Sequence, residues 1–252
     1  MMDSKERFSE RVDTYVKYRP SYPVEAVDYL YDTVGISQKS IVADIGAGTG
    51  IMSELLLARG SKVIAVEPNA DMRQKAEKRL SNNPNFRIQP CPAEETGLDD
   101  QSVDTIICAQ SFHWFDKQAA KLEFQRILKP KGRAVLIWNS RLTEGSEFLT
   151  GYEQLLHEYG TDYKEVKHTN ITTDQFDSFF KEGTLQLKEF ANRQIFDFDG
   201  LKGRLLSSSY SPVPGHPKHE PMLQELQSLF DRTQKNNQVY FDYKTQVFWG
   251  EV

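Results

Sequence analysis

The sequence predicts an α/β fold: a doubly wound sheet with helices on both faces. Three observations predict it. From residue 40, short apolar runs alternate with helix-like stretches, the pattern of βαβ units and a parallel sheet. The runs IVADI, KVIAV and VDTIIC are continuously apolar rather than alternating, as strands covered on both faces are. The first of these runs leads straight into GAGTG, and a helix-like stretch follows.

Before that core, Phe8, Val12, Tyr15 and Val16 recur at helical spacing, and Pro20 and Pro23 interrupt the pattern. Ala26, Val27, Leu30, Tyr31 and Val34 form a second apolar stripe, stopped at Gly35. The core then reads as strand Ile41–Ile45, helix Thr49–Arg59 closed by Gly60, strand Lys62–Val66 and helix Asn69–Leu80. Strands at Phe86–Gln89 and Val103–Cys108 follow, then a helix at Lys117–Leu128, which Asp116 caps. The turn residues KPKG precede a fifth strand, Ala134–Trp138. Beyond residue 140 the expected elements are helices at Phe148–Tyr159 and Thr173–Lys181, a strand at Leu185–Phe198, a helix at Met222–Lys235 and a strand at Val239–Trp249. Ser207–Pro221, rich in Ser, Pro and Gly, reads as a loop. The whole is expected to be one domain over 1–252, with a helical lid at 1–35, a ligand-binding core at 36–140 and a pocket cap at 141–252.

Composition narrows the function. The 252 residues are 38% hydrophobic and 27% charged, a globular balance that excludes collagen, low-complexity linkers and full disorder. A net charge of -5 argues against a protein that holds nucleic acid mainly through its phosphates. Cys91 and Cys108 are too few for a disulfide framework and read as reduced thiols of a cytoplasmic protein. The charged start of the chain is no secretory signal, and no run approaches the ~20 apolar residues of a spanning helix, so no membrane partner is expected. His216 and His219 form H-x-x-H, but no further ligands stand at metal spacing, so no metal is expected.

The glycine loop carries the chemistry. Gly46, Gly48 and Gly50 permit a tight turn and a close approach of backbone to ligand. Dinucleotide oxidoreductases share this layout, but two residues decide against them. Ile51 occupies the position where their pattern places its third Gly or Ala. Asp44, at the strand tip, would repel a pyrophosphate and suits a cationic ligand without phosphate. S-adenosylmethionine, with an ammonium and a sulfonium, is such a ligand. Glu67 closes the second strand 23 residues after Asp44, near the ~20-residue offset of an acid that accepts from ribose hydroxyls.

With DIGAGTG, VEPN, PAEE after the third strand and AQSFHWFD after the fourth, residues 40–140 resemble the class I S-adenosylmethionine-dependent methyltransferases. The opening RFSERVDTYVKYRPSYP and AQSFHWFD resemble a narrower small-molecule branch that includes the trans-aconitate methyltransferase-like proteins. The resemblance implies a Rossmann-like sheet of seven strands, mostly parallel with an antiparallel C-terminal strand. It also implies roles. Asp44 and the loop of Gly46, Ala47, Gly48 and Thr49 would face the methionyl end. Glu67 would take the ribose, beside Pro68 and Met72, with Ala93 and Glu94 at the adenine. Many relatives carry an Asp before that Ala; here the position is Pro92, so that contact is either lost or taken over by Glu94. Gln110 would touch the methionyl portion, and Tyr15 and Arg19 would close over the cofactor.

Methyl transfer from a sulfonium needs positioning and exclusion of water more than a dedicated catalytic set. A carboxylate acceptor needs no base; a hydroxyl or carbon acceptor does. His113, just beyond the fourth strand, is the candidate base, with Trp114 and Phe115 as packing. Tyr210 is a candidate cap of the acceptor pocket, and Arg193 and Arg204 are candidates to neutralise an acidic acceptor. The expected activity is methylation of a small molecule, a carboxylate among the acceptors. The rival readings are an RNA or protein methyltransferase, a nicotinamide oxidoreductase, and a protein that binds the cofactor without turnover.

Overall fold

A computed structural model describes residues 18–161, 163, 176, 178–208 and 210–252. Tyr15 and the expected first helix lie outside the described residues, as do Thr173, Asp174, Gln175 and Asp177 of the expected helix at Thr173–Lys181; from Ser178 to Lys181 the chain is turn, bend and coil rather than helix.

One sheet of seven strands organises the molecule, in the spatial order β3-β2-β1-β4-β5-β7-β6. The strands are β1 (Ile41–Ile45), β2 (Lys62–Val66), β3 (Phe86–Gln89), β4 (Val103–Ala109), β5 (Leu128–Arg141), β6 (Gln186–Phe196) and β7 (Val239–Gly250). β1 to β5 pair in parallel; β7 runs antiparallel to both neighbours, β5 and β6. The order reverses beside β1, where β2 lies on one side and β4 on the other. In open α/β sheets that reversal opens a crevice at the carboxyl ends of the strands.

The helices are α1 (Val24–Tyr29), α2 (Ile51–Ala58), α3 (Ala70–Leu80), α4 (Lys117–Ile127), α5 (Glu147–Tyr159), α6 (Phe198–Leu206) and α7 (His219–Thr233). Successive side chains of a strand point to opposite faces, so each central strand supplies both cores. Val42, Ile107, Val135 and Ile137 pack under α1, α2 and α3, with Leu30, Leu56 and Ala76. Ala43, Ile106, Leu136 and Trp138 meet Phe124 and Ile127 of α4 on the other face. A third core joins α5, α6 and α7 to the first residues of β7, through Tyr152, Leu201, Leu226 and Phe241. Helix starts follow the sequence: Asn69 accepts from the Met72 amide, and Asp116 from the amides of Gln118 and Ala119. Past α1 the chain widens into a π-helical turn, Leu30–Val34, and leaves through Gly35 at φ 95°.

Three expectations are corrected. The KPKG segment is not a turn ahead of β5 but part of it. Two steps along β4, Val103 to Thr105, match five along β5, Leu128 to Arg133, so the turn residues survive as a bulge with Lys131 at φ 68°. Second, α6 forms where no element was expected. Gly200 and Gly203 blur its periodicity, but the Asp197 carboxylate accepts from the Gly200 amide and Leu201 and Leu205 are fully buried. Gly203 is required by close approach: a Cβ there would lie 2.2 Å from the Tyr18 ring. Third, the expected loop over Ser207–Pro221 ends early, because α7 starts at His219. The buried His219 ring donates through Nδ1 to the Pro212 carbonyl, 2.8 Å away.

Candidate active site

The tips of β1, β2, β4 and β5 open into a cavity of about 340 Å³. Asp44, near the end of β1, is wholly buried. Its Oδ2 accepts from the Ser53 hydroxyl at 2.6 Å, and its Oδ1 has no hydrogen-bond partner among the described residues. Burial pushes its carboxyl up to about 6, with the Ser53 hydroxyl opposing and Glu67 adding to the rise. After β1 the chain turns through Gly46 (φ 67°) and Gly48 (φ 56°), and the amides of Gly46 and Ala47 donate to the Val66 carbonyl. Gly46 is demanded sterically as well, since a Cβ would meet Ser111 Cβ at 2.5 Å. Glu67, at the tip of β2, accepts from the Asn69 amide on Oε1 and the Gly48 amide on Oε2, each at 2.8 Å. It therefore fixes the glycine loop against the start of α3. Burial raises its carboxyl, against those two amides.

The segment after β4 closes the same space. Gln110 stands in the left-handed region at φ 62°, and its side-chain amide donates to the Asn139 carbonyl at 3.2 Å. Ser111 ties this segment to β1 by donating to the Ile45 carbonyl at 2.6 Å. His113 lies in a 3-10 turn, Phe112–Trp114, with its ring 4.7 Å from that of Trp114. Glu94 accepts from the Asp116 amide at 2.7 Å, leaving its second oxygen for another donor. The cavity wall includes Arg19, Asp44, Gly46, Ala47, Gly48, Thr49, Glu67, Pro68, Met72, Ala93, Glu94, Gln110 and His113, so it gathers the expected cofactor residues and candidate base except Tyr15, which lies outside the described residues. Among the described residues no group of His, Cys, Asp or Glu could hold a metal, and no helix is long and apolar enough to cross a membrane.

The comparisons with known proteins bear on this cavity. Residues 43–136 match a methyltransferase domain family. An uncharacterised methyltransferase-like protein of Schizosaccharomyces pombe is 28% identical over 253 residues, 97% of this chain and 94% of that one. An uncharacterised methyltransferase of Mycobacterium tuberculosis is 40% identical over 134 residues, 53% of this chain and 52% of that one. A solved structure from Anaeromyxobacter dehalogenans, described as a candidate type II methyltransferase, superposes with a TM-score of 0.71 at 20% identity. The match covers 93% of this chain and 98% of that one, and it is a likeness of fold. Residues 43–136 are a methyltransferase domain.

The cavity fits S-adenosylmethionine, the cofactor of class I methyltransferases. Asp44 Oδ1 is a buried carboxylate oxygen lacking a donor, and a buried acceptor left alone is costly. The cofactor's ammonium is a charged donor of the kind it lacks. The cradle beside it is free of side-chain bulk: Gly48 has no Cβ, and one placed there would meet only Met72 Sδ, at 3.6 Å.

The other end of the cavity was only partly legible. Asn139, Ser140 and Arg141 line it because they end β5. The rule that ligands lie beyond the carboxyl ends of strands applies to that tip too and would have found them. Tyr243 lines it because β7 is antiparallel: its early residues pair with the end of β5, Tyr243 opposite Arg141. Tyr163 carries no local signal, and Tyr210 reaches the wall from the loop after α6. Arg204 of α6 is buried in this wall, whereas Arg193 is exposed and paired with Asp242. Arg141 is paired as well, to Glu153, which also accepts from Tyr163 Oη at 2.6 Å.

Proposed function

We propose that this methyltransferase transfers a methyl group from S-adenosylmethionine to a small organic acceptor enclosed at the carboxyl ends of the sheet. The observation that carries the reading is the fully buried, donor-less Oδ1 of Asp44 at the tip of β1. Asp44 holds the ammonium, and the backbone of Gly46 to Thr49 accommodates the methionyl chain. Gln110 contributes its side-chain carbonyl, and Arg19 faces the methionyl carboxylate. Glu67 retains a second lone pair on each oxygen and takes the ribose hydroxyls beside Pro68 and Met72. Ala93 and Glu94 border the adenine.

When bound, the cofactor would supply an electrophilic methyl on its sulfonium, with the neutral thioether S-adenosylhomocysteine as the leaving group. The chain's own part is to hold both partners in register and exclude water. His113, in the cavity wall, takes the proton when the acceptor is a hydroxyl or carbon acid; a carboxylate acceptor leaves it a lining residue. The acidic net charge supports a small-molecule acceptor over RNA, in line with the branch that includes the trans-aconitate methyltransferase-like proteins. Two free cysteines support a reducing, cytoplasmic setting.

Calorimetric titration with S-adenosylmethionine and S-adenosylhomocysteine tests the reading. Wild type binds both. Asp44→Asn weakens both about 10- to 100-fold, the worth of a charge-assisted hydrogen bond. Glu67→Gln, which leaves one of two backbone amides without its acceptor, weakens them by about tenfold. A folded wild type that ignores both ligands, or prefers NAD(P), overturns the proposal.

A further inference from the structure

Arg204 is the unusual residue of the acceptor end. It is 7% exposed and lines the cavity, yet among the described residues it forms no ion pair. Its Nη1 donates to the Ser208 hydroxyl at 3.0 Å, and its Nε has no hydrogen-bond partner. Burial works against its charge, but the phenol oxygens of Tyr243, Tyr210 and Tyr152 more than offset this, so the guanidinium stays charged. Hydroxyl dipoles do not neutralise it. Arg141 nearby shows the ordinary solution, a carboxylate from α5 in direct contact. A second cavity-lining donor, Trp138 Nε1, is also buried without an acceptor. A buried cation lacking a counterion is strongly unfavourable unless something supplies the negative charge.

We propose that Arg204 is the anchor for an anionic group of the acceptor, so that the acceptor is a small organic anion. This rests on the methyl-transfer reading and specifies its substrate class. A guanidinium withdraws electron density from the carboxylate it holds and occupies its lone pairs. The anion on Arg204 is therefore an anchor, and the methyl goes to a different atom of the same molecule. Tyr210, which lines the same wall, supplies a further hydroxyl to the anion.

The test uses the full chain saturated with S-adenosylhomocysteine, probed by ligand-observed NMR. The probes are benzoate and succinate, their uncharged amides, and phenyl phosphate, which separates a carboxylate preference from a phosphate one. The anions bind about tenfold or more tightly than the amides in wild type. Arg204→Met removes that preference, and Arg204→Lys, which keeps the charge and loses the planar fork, retains part of it. Melting curves and retained S-adenosylhomocysteine binding report that the variants are folded. If Arg204→Met does not fold, the acid-against-amide comparison on wild type decides alone. The inference is overturned if acids and amides bind alike, if no anion binds the loaded wild type, or if folded Arg204→Met keeps the preference. A protein that fails to take up S-adenosylhomocysteine sinks the methyl-transfer reading instead.

Discussion

The two ends of the cavity are built from opposite charges and by opposite means. At one end Asp44 and Glu67 stand at the tips of adjacent parallel strands, 23 residues apart in sequence, and the buried atoms left over include a carboxylate acceptor, Asp44 Oδ1. At the other end Arg141, Tyr243 and Arg204 come from β5, β7 and α6, and the buried atoms left over include a charged donor, Arg204 Nε. Each unsatisfied atom specifies its missing partner: a cation in the first case, an anion in the second. The sheet supplies the first end by local continuity, while the second requires segments spread from residue 141 to residue 243 to meet.

The comparison predicts separable failures. The largest effect is expected from Gly46→Ala. It places a Cβ 2.5 Å from Ser111 Cβ and an L side chain at φ 67°, and it should destabilise the fold by about 3 kcal/mol, the left-handed and overpacking costs together. A chemical denaturation series reads this, and an unchanged midpoint would mean that the turn is softer than its geometry indicates.

A smaller effect follows from pH. Asp44 binds the cofactor's ammonium in its ionised form, and its carboxyl titrates near 6, so S-adenosylmethionine affinity is full above that value and falls below it. Binding at pH 5 should be about tenfold weaker than at pH 7, and Asp44→Asn should flatten the profile. The stability of the ligand-free protein runs the other way. The raised carboxyl favours the folded state below the ordinary value of 3.8, and that contribution is lost as pH rises through about 6. Glu67, also raised, adds to both trends, which is why the Asn variant is the informative control. The smallest effect belongs to Arg193→Ala. That arginine is exposed and pairs with Asp242, so stability should change by less than about 1 kcal/mol and neither ligand's affinity should move. A loss of anion binding in this variant would transfer the anchoring role from Arg204 to the surface.

The acidic end was legible because its determinants are short-range. An apolar run, a carboxylate at its tip and a glycine turn are contiguous in the chain, and so are KVIAV and Glu67. The alternation of strand and helix likewise reads off residues 41–127 with boundaries within two residues of those observed. The basic end was not legible in the same way. Arg204 and Arg193 read alike in sequence, and only α6 packing beneath Tyr18, with β7 reversed beside β5, buries one and leaves the other on the edge strand. The KPKG bulge went unseen for a related reason. Turn chemistry reports that the backbone deviates, but not whether the strand resumes pairing with the same neighbour.

The position of β7 has a consequence for biosynthesis. β7 lies between β5 and β6, so β6 has no strand to join until residues 239–250 arrive. A chain emerging N-terminus first therefore carries β6 unpaired and the free edge of β5 open through the synthesis of some forty intervening residues. The last strand made is an interior one, and its arrival both seals the sheet and places Tyr243 beside the end of β5. On the ribosome, the cofactor end can take shape well before an acceptor end exists.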